Sequence, residues 1–237
     1  MLIVSWNIHR CIGSDGRYRP DRIVEVLHVL NADVIALQEV DSSLRSDNGE
    51  DQLTYISRSL GMLPILGPTL SFDYGSYGNA ILTRHQIHYW DEYDLSYRKF
   101  EPRGAIAVGV KFQIEGRSRQ MRIVGTHLGL KYWERTFQID RLLGGVVWKD
   151  EPVTILLGDF NEWFPFSGNY LRLSRAFLPC PRLATFPAVW PRFALDRIYI
   201  SGLVNKVNWS TVSHSLSSVA SDHLPVLANI DLKNLSS

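Results

Sequence analysis

Several apolar runs in this chain end abruptly in a polar side chain, and that pattern limits the fold more than any other feature. Residues 153–157 (Val-Thr-Ile-Leu-Leu) are β-rich and apolar without alternation, which reads as a strand covered on both faces. Gly158 is expected to stop this strand and let the backbone turn. Asp159 and Asn161 follow two positions apart, and they share a side if the extended geometry continues. The carboxylate can take a proton or orient a water, and the carboxamide can hold an oxygen. Gly, Asp and Asn are equally the residues of a plain turn, so this stretch alone leaves turn and site both open.

The same ending recurs. Residues 2–8 read as a strand carrying Asn7, a residue depleted in strands. Residues 32–40 form a second buried strand that ends with Glu39, and 121–126 a third that delivers His127. Residues 195–200 place Asp196 where an apolar residue is expected, and Asp222 and His223 precede a last strand over 226–232. Strands over 77–83, with Asn79 near the start, and 105–112, led by Arg103, complete the set. Helices are expected from Pro20, over 53–60 up to Gly61, over 133–147 with a late break at Gly144-Gly145, and over 169–177. Residues 116–119 read as a hairpin turn, 85–101 as irregular, and 210–221 as strand and loop. Many short strands with fewer helices between them predict α/β architecture, a sandwich of two mixed sheets with helices outside. No repeat or linker divides residues 1–237, so one domain is expected.

At 45% hydrophobic and 21% charged, the composition is that of a globular protein with a sizeable core. A formal net charge of +1 argues against a purely electrostatic nucleic-acid binder, but leaves room for a nuclease with a local basic patch. Arg117, Arg119 and Arg122 lie on one expected hairpin and could form such a patch or merely a solvated face. Cys11 and Cys180 are too few and too far apart for a disulfide framework or a zinc site. The first strand leaves no room for a leader's charged and apolar regions, and no apolar run approaches the roughly 20 residues that span a bilayer. The expectation is a cytoplasmic protein, provided the chain is not a trimmed mature form.

Asn7, Glu39, His127, Asp159, Asn161, Asp222 and His223 together supply hard oxygen ligands, a water activator and imidazoles, the needs of a divalent-metal hydrolase. No glycine-rich phosphate loop and no Gly-x-Ser-x-Gly elbow competes. The chain resembles the endonuclease/exonuclease/phosphatase superfamily, which includes pancreatic-type deoxyribonucleases, apurinic endonucleases, neutral sphingomyelinases and inositol polyphosphate phosphatases. The matching stretches are Ser5-Trp6-Asn7, Leu37-Gln38-Glu39-Val40, Gly125-Thr126-His127-Leu128, Gly158-Asp159-Phe160-Asn161, Leu195-Asp196-Arg197-Ile198 and Ser221-Asp222-His223-Leu224-Pro225, in that order. The resemblance implies a four-layer α/β/β/α sandwich with its site at one end between the sheets. It implies that Glu39 ligates Mg²⁺ or Mn²⁺, with Asn7 and Asp222 completing or supporting that shell. It further implies that Asp159 activates water, that Asn161 holds the phosphate or water, and that His223, fixed by Asp196, and His127 stabilise the phosphoryl oxygens. Asn79 and Arg103 look like substrate-binding positions beside that pocket, where the arginine could clamp a phosphate bidentately or simply form a surface ion pair. Apurinic endonucleases commonly carry Tyr in place of His127, so the likeness is to the deoxyribonuclease and phosphatase branches.

The leading expectation is a Mg²⁺- or Mn²⁺-dependent phosphohydrolase acting on a phosphodiester or phosphomonoester. Near-neutral charge and the aromatic stretch Trp163, Phe164, Phe166, with Trp190, favour a small-molecule or lipid-headgroup substrate with an apolar pocket mouth. A nuclease on DNA or RNA is the alternative, and needs a basic, aromatic groove. A non-catalytic binding module on the same fold should lack the metal and water-activating groups, all of which are present here. No protein partner is implied.

Overall fold

A computed structural model describes residues 1–44, 49–114, 117–148, 151–202 and 204–232. The chain runs β1 (Leu2–Asn7), α1 (Pro20–Leu30), β2 (Val34–Asp41), α2 (Gln52–Leu60), then β3 (Leu63–Phe72), β4 (Gly75–Thr83), β5 (Gln86–Asp94) and β6 (Gly104–Ile114). It continues through β7 (Arg117–His127), α3 (Tyr132–Arg141), β8 (Val153–Asp159), α4 (Gly168–Ala176), β9 (Asp196–Gly202), β10 (Lys206–Thr211), α5 (Ser215–Ala220) and β11 (Val226–Asp231). One sheet has the order β10-β11-β1-β2-β4-β3 and the other β5-β6-β7-β8-β9. The expected mixed-sheet sandwich is therefore the one observed.

Each sheet is built round one parallel pair. β1 and β2 run parallel and are joined through α1, and β7 and β8 run parallel and are joined through α3. A parallel neighbour requires such a crossover, and its helix covers the outer face of the sheet. Ile3, Ala36, Ile123, Ile155 and Ile198 from the two sheets meet in the central core, while Val4, Ile35 and Leu37 turn outward to Ile23, Leu27 and Ile56 of α1 and α2. On the far side Val124, Leu156 and Tyr199 meet Ile139 of α3 and Leu173 of α4. Strands buried on both faces explain the continuous apolar runs of β2 and β8.

Pro20 stands at the first helical position of α1, and α2 is stopped by Gly61 in the left-handed conformation. Other expectations need correction. Gly158 does not stop β8, which runs on through Asp159. Residues 86–94, expected to be irregular, form the edge strand β5, and β3 appears where no element was placed. β5 alternates exposed and half-buried residues, a polar pattern that its single neighbouring strand makes sufficient. Ser215–Ala220 form helix α5 in place of strand and loop, capped by His214, whose imidazole accepts from the Ser217 N–H. Arg117 to Arg119 belong to strand β7 and not to a turn, and Gly116 lies outside the described residues. The helix over 133–147 starts at Tyr132 and ends in a π-turn over Leu142–Val146 that contains both glycines. Both cysteines are free thiols. Among the described residues no helix is long and apolar enough to cross a membrane.

Gly158 matters for a different reason from the expected one. Its φ of +146° is closed to other residues, and a Cβ there would lie 1.8 Å from the Thr126 carbonyl oxygen on β7. Gly158→Ala should therefore lower stability by about 3 kcal/mol or more, measured as a shift in the urea midpoint.

Candidate active site

Strand register brings three polar residues into one rung. His127 at the end of β7 pairs with Asp159 at the end of β8, and Asp159 pairs with Asp196 at the start of β9. The opposite sheet contributes Asn7, the last residue of β1, and Glu39 from β2. Between Leu37 and Val40 the β2–β4 register slips, so one extra residue is accommodated, and Glu39 takes φ +58°. A left-handed glutamate is uncommon, and here the bulge re-aims its carboxylate towards Asn7. His9, Arg10, Cys11 and Asn161 also have positive φ, so strained backbone concentrates at this end of the sandwich.

Asp159 is buried and well supplied with donors. The Asn7 Nδ2 group donates to Asp159 Oδ2 at 3.1 Å and to Glu39 Oε1 at 3.0 Å. The Asn161 N–H donates to Asp159 Oδ1 at 2.9 Å, closing a turn round its own carboxylate. Asn161, at φ +48°, does not continue the extended chain, so Asp159 and Asn161 do not share a strand face as expected. The stretch is both a turn and part of the polar cluster. Asn161 Nδ2 donates to the Leu128 carbonyl at 2.9 Å and reaches His127 Nε2 at 3.1 Å.

The two histidines are in opposite charge states. Burial pushes the His127 imidazole down from 6.5 to about 3, against the attraction of Asp159 and helped by the cations Arg103 and His223. It is neutral, and acceptance from Asn161 at Nε2 places its proton on Nδ1. Burial also opposes charging of His223, but the carboxylates of Asp196 and Asp159 outweigh it and raise that imidazole to about 10. His223 Nδ1 donates to Asp196 Oδ2 at 2.8 Å, and its Nε2 stands 3.7 Å from Asp159 Oδ2. Asp196 is fixed in turn by the Thr185 hydroxyl at 2.6 Å. The Phe186 ring lies 4.8 Å from the imidazole, centre to centre. Trp6 Nε1 donates to the His223 carbonyl at 2.8 Å, and the Ser221 hydroxyl donates to the Asn7 carbonyl at 2.7 Å. These bonds tie the loop before β11 to the end of β1.

Among the described residues, Asp159, Asp196 and His223 form a group whose potential metal-binding atoms lie within 4.8 Å of one another. Its imidazole is protonated and already bonded, so this trio is better suited to holding a proton than a cation. Glu39 fits a hard divalent ion better, because it offers a carboxylate beside the buried cluster and Mg²⁺ needs only one or two such ligands. Tyr77 stands beside Glu39, and burial together with that carboxylate pushes its phenol pKa up. Asn7 presents its NH₂ to the carboxylates, while its oxygen accepts the His9 N–H at 3.0 Å. Asp222 stands further out, half-buried, 3.8 Å from the His9 imidazole. Asn79 is buried and donates to the Gly104 carbonyl at 3.2 Å. Arg103 is buried and pairs with Glu101 at 3.2 Å, and its Nε has no partner among the described residues. Sequence reasoning missed Tyr77, Thr185 and Phe186, because a hydroxyl or ring supporting another side chain leaves no mark in spacing.

On α3, Gln138 accepts from the Gly129 N–H at 2.8 Å and Arg135 donates to the Leu130 carbonyl at 2.7 Å, so both side chains hold the loop that follows His127. Arg122, expected on a solvated face, is fully buried and donates to the Val146 carbonyl and to Tyr89 and Tyr93. The three-arginine patch is therefore absent.

An α/β/β/α sandwich with this polar rung at one end defines a class of proteins that act on phosphoesters. The sequence model of the Endonuclease/Exonuclease/phosphatase family matches residues 4–223, and the chain belongs to that family. Its members hydrolyse phosphoester bonds, generally with divalent metals. The chain is 25% identical to the uncharacterized protein YbhP of Escherichia coli strain K12, over 97% of this chain and 96% of that protein. Among solved structures, an endonuclease/exonuclease/phosphatase from Beutenbergia cavernae aligns with TM-score 0.76 and 20% identity, over 98% of this chain and 71% of that one. The Bacteroides thetaiotaomicron mannosyl-6-phosphatase Bt3783 aligns with TM-score 0.72 and 18% identity, over 98% of this chain and 100% of that one. At these identities the structural likenesses speak for the fold alone.

The histidine shifts predict stability losses on both sides of neutrality. As pH rises from 6.5 towards about 10, the unfolded chain loses a proton that folded His223 keeps, so the stability it contributes is lost over that window. As pH falls from 6.5 towards about 3, the unfolded chain gains a proton that folded His127 refuses, so stability is lost there too. Urea midpoints measured against pH in chelator should show a flatter alkaline limb in His223→Gln and a flatter acid limb in His127→Gln.

Proposed function

We propose that this chain is a divalent-metal-dependent phosphohydrolase that cleaves a phosphodiester or phosphomonoester by in-line attack of water. The reading is carried by the rung of His127, Asp159 and Asp196 with the cationic His223 set against it. Glu39 would hold Mg²⁺ or Mn²⁺, supported at its margin by Asp222, and the ion when bound supplies positive charge to the phosphoryl oxygens. Asn7 keeps the Glu39 and Asp159 carboxylates in place. Asp159 orients the attacking water and takes its proton. The His223 Nε2–H donates to a phosphoryl oxygen, with Asp196 holding the ring and supporting its charge. Asn161 positions His127, and that neutral imidazole meets the phosphoryl group from the other side. Arg103, paired with Glu101, adds positive charge near His127, and Asn79 anchors the Gly104 backbone beside it.

A small-molecule or lipid-headgroup ester is the substrate class favoured here. A cavity of about 410 Å³ adjoins Glu39 and is lined by His9, Arg10, Leu70, Phe72, Tyr77 and Glu101, a size suited to a small alcohol moiety. The arginine patch expected on the hairpin does not support the nuclease alternative, since Arg122 is buried, and Arg117 and Arg119 sit at the end of β7 opposite His127.

The test is hydrolysis of plasmid DNA, single-stranded RNA, a generic phosphodiester, a sugar phosphate and a phospholipid, with Mg²⁺ and with chelator. Metal-dependent turnover of one class is expected, reduced about 10²-fold or more in Asp159→Asn and in His223→Ala. Glu39→Gln should raise the Mg²⁺ concentration needed for half-maximal rate. No turnover together with no Mg²⁺ binding by calorimetry would overturn the reading.

A further inference from the structure

The exposed apolar residues are concentrated at the site end. Four segments lie at one edge of the β6-β7-β8-β9 sheet: 98–100 (Arg-Lys-Phe) leads into β6, beside the rung, while 130–133 (Leu-Lys-Tyr-Trp), 163–166 (Trp-Phe-Pro-Phe) and 189–193 (Val-Trp-Pro-Arg-Phe) leave or lead into the strand ends that carry His127, Asp159 and Asp196. They belong to neighbouring strands, and contacts at or beside them link one to the next. Tyr97 packs on Phe137 of α3 at 5.0 Å, Asn169 of α4 donates to the Tyr132 carbonyl, and Trp163 stacks edge-on against Phe193 at 5.1 Å. Leu130 is 60% exposed, Trp133 72%, Phe166 72% and Val189 71%. Single exposed hydrophobes are ordinary on a protein surface, but a contiguous set around a catalytic cleft is not.

Charge in these segments has one sign. Arg98, Lys99, Lys131 and Arg192 are exposed among the aromatic rings, Arg192 lying 3.5 Å over the Trp190 ring, and the four segments contain no Asp or Glu; Glu101, directly after the first of them, is paired with Arg103. The chain as a whole carries only +1, so this is a local bias. Aromatic rings, aliphatic tips and cations at one level are the chemistry of the lipid headgroup boundary, where rings and aliphatic groups enter the acyl edge and cations meet anionic headgroups.

We infer that the site end of this protein docks on an anionic lipid surface, which presents the phosphoester to the cleft. The choice of substrate rests on the phosphohydrolase reading above, whereas the docking does not. A protein partner covering the same segments would close the cleft, whereas a membrane covers them and carries the substrate. A single-stranded nucleic acid could stack on the rings, but it would leave Leu130 and Val189, which have no π-face, in water.

The experiment is co-sedimentation with phosphatidylcholine vesicles, with and without phosphatidylglycerol, in chelator so that binding is read without turnover. Binding to the anionic vesicles that weakens with salt is expected. Trp133→Ser/Val189→Ser should weaken that binding about tenfold or more, while turnover of a water-soluble phosphoester stays unchanged. Lys131→Glu/Arg192→Glu should abolish the preference for phosphatidylglycerol. No binding at low salt, equal binding by the Trp133→Ser/Val189→Ser variant, or tighter binding to an oligothymidylate than to vesicles would each overturn the docking. Vesicle binding by a protein that, with Mg²⁺ supplied, hydrolyses no ester and binds no Mg²⁺ by calorimetry would overturn the phosphohydrolase reading and leave the docking surface standing.

Discussion

The rest of the site depends on a carboxylate that has been taken out of water. Asp159 is almost fully buried, and an ion in that position is tolerated only where donors and opposite charge replace its hydration. The replacements are the Asn7 amide, the Asn161 backbone N–H and the cationic His223 ring. The requirement spreads outward. His223 needs Asp196 to stay charged, Asp196 is held by Thr185, and the loop carrying His223 is fastened through Ser221 and Trp6 to β1. One buried charge thereby connects β1, β8, β9 and the approach to β11.

The two sheets meet this requirement with the same device used twice. In each, a parallel pair is joined by a helix that covers its outer face, and antiparallel strands complete the layer. Asn7 and Glu39 lie at the ends of the first pair, His127 and Asp159 at the ends of the second. Packing the sheets face to face sets these ends opposite each other, so Asn7, Glu39, His127 and Asp159 converge from strands, and a loop is needed to bring in His223. The local cost is paid in backbone strain, seen in the left-handed Glu39 and Asn161.

Much of this was legible in the chain because buried strands write themselves as apolar runs and their polar ends break the pattern. β1, β2, β7, β8 and β9 were readable in that way, and so were the identities of the residues at their ends. β5 was not, since an edge strand paired on one side tolerates a polar, aromatic sequence that also suits a loop. Helix α5 was hidden by serines, which favour caps and turns by composition and here are held by the His214 cap. Gly158 was read as a breaker from its type. Its real constraint, the Thr126 carbonyl of the adjacent strand, is a contact between residues 32 positions apart. Arg122 was taken for surface because arginine usually is, and only the tyrosines and the Val146 carbonyl around it explain its burial.

By itself, then, the sequence determined which residue types stand at strand ends and that the strands enclosing them are buried, because period and polarity are local properties. Tertiary structure alone decided that His127, Asp159 and Asp196 share a rung, that one imidazole is neutral and the other charged, and that the exposed aromatic segments gather round the cleft. Register, burial and proximity to a distant charge arise from the packing of segments far apart in the chain, and no spacing along the sequence encodes them.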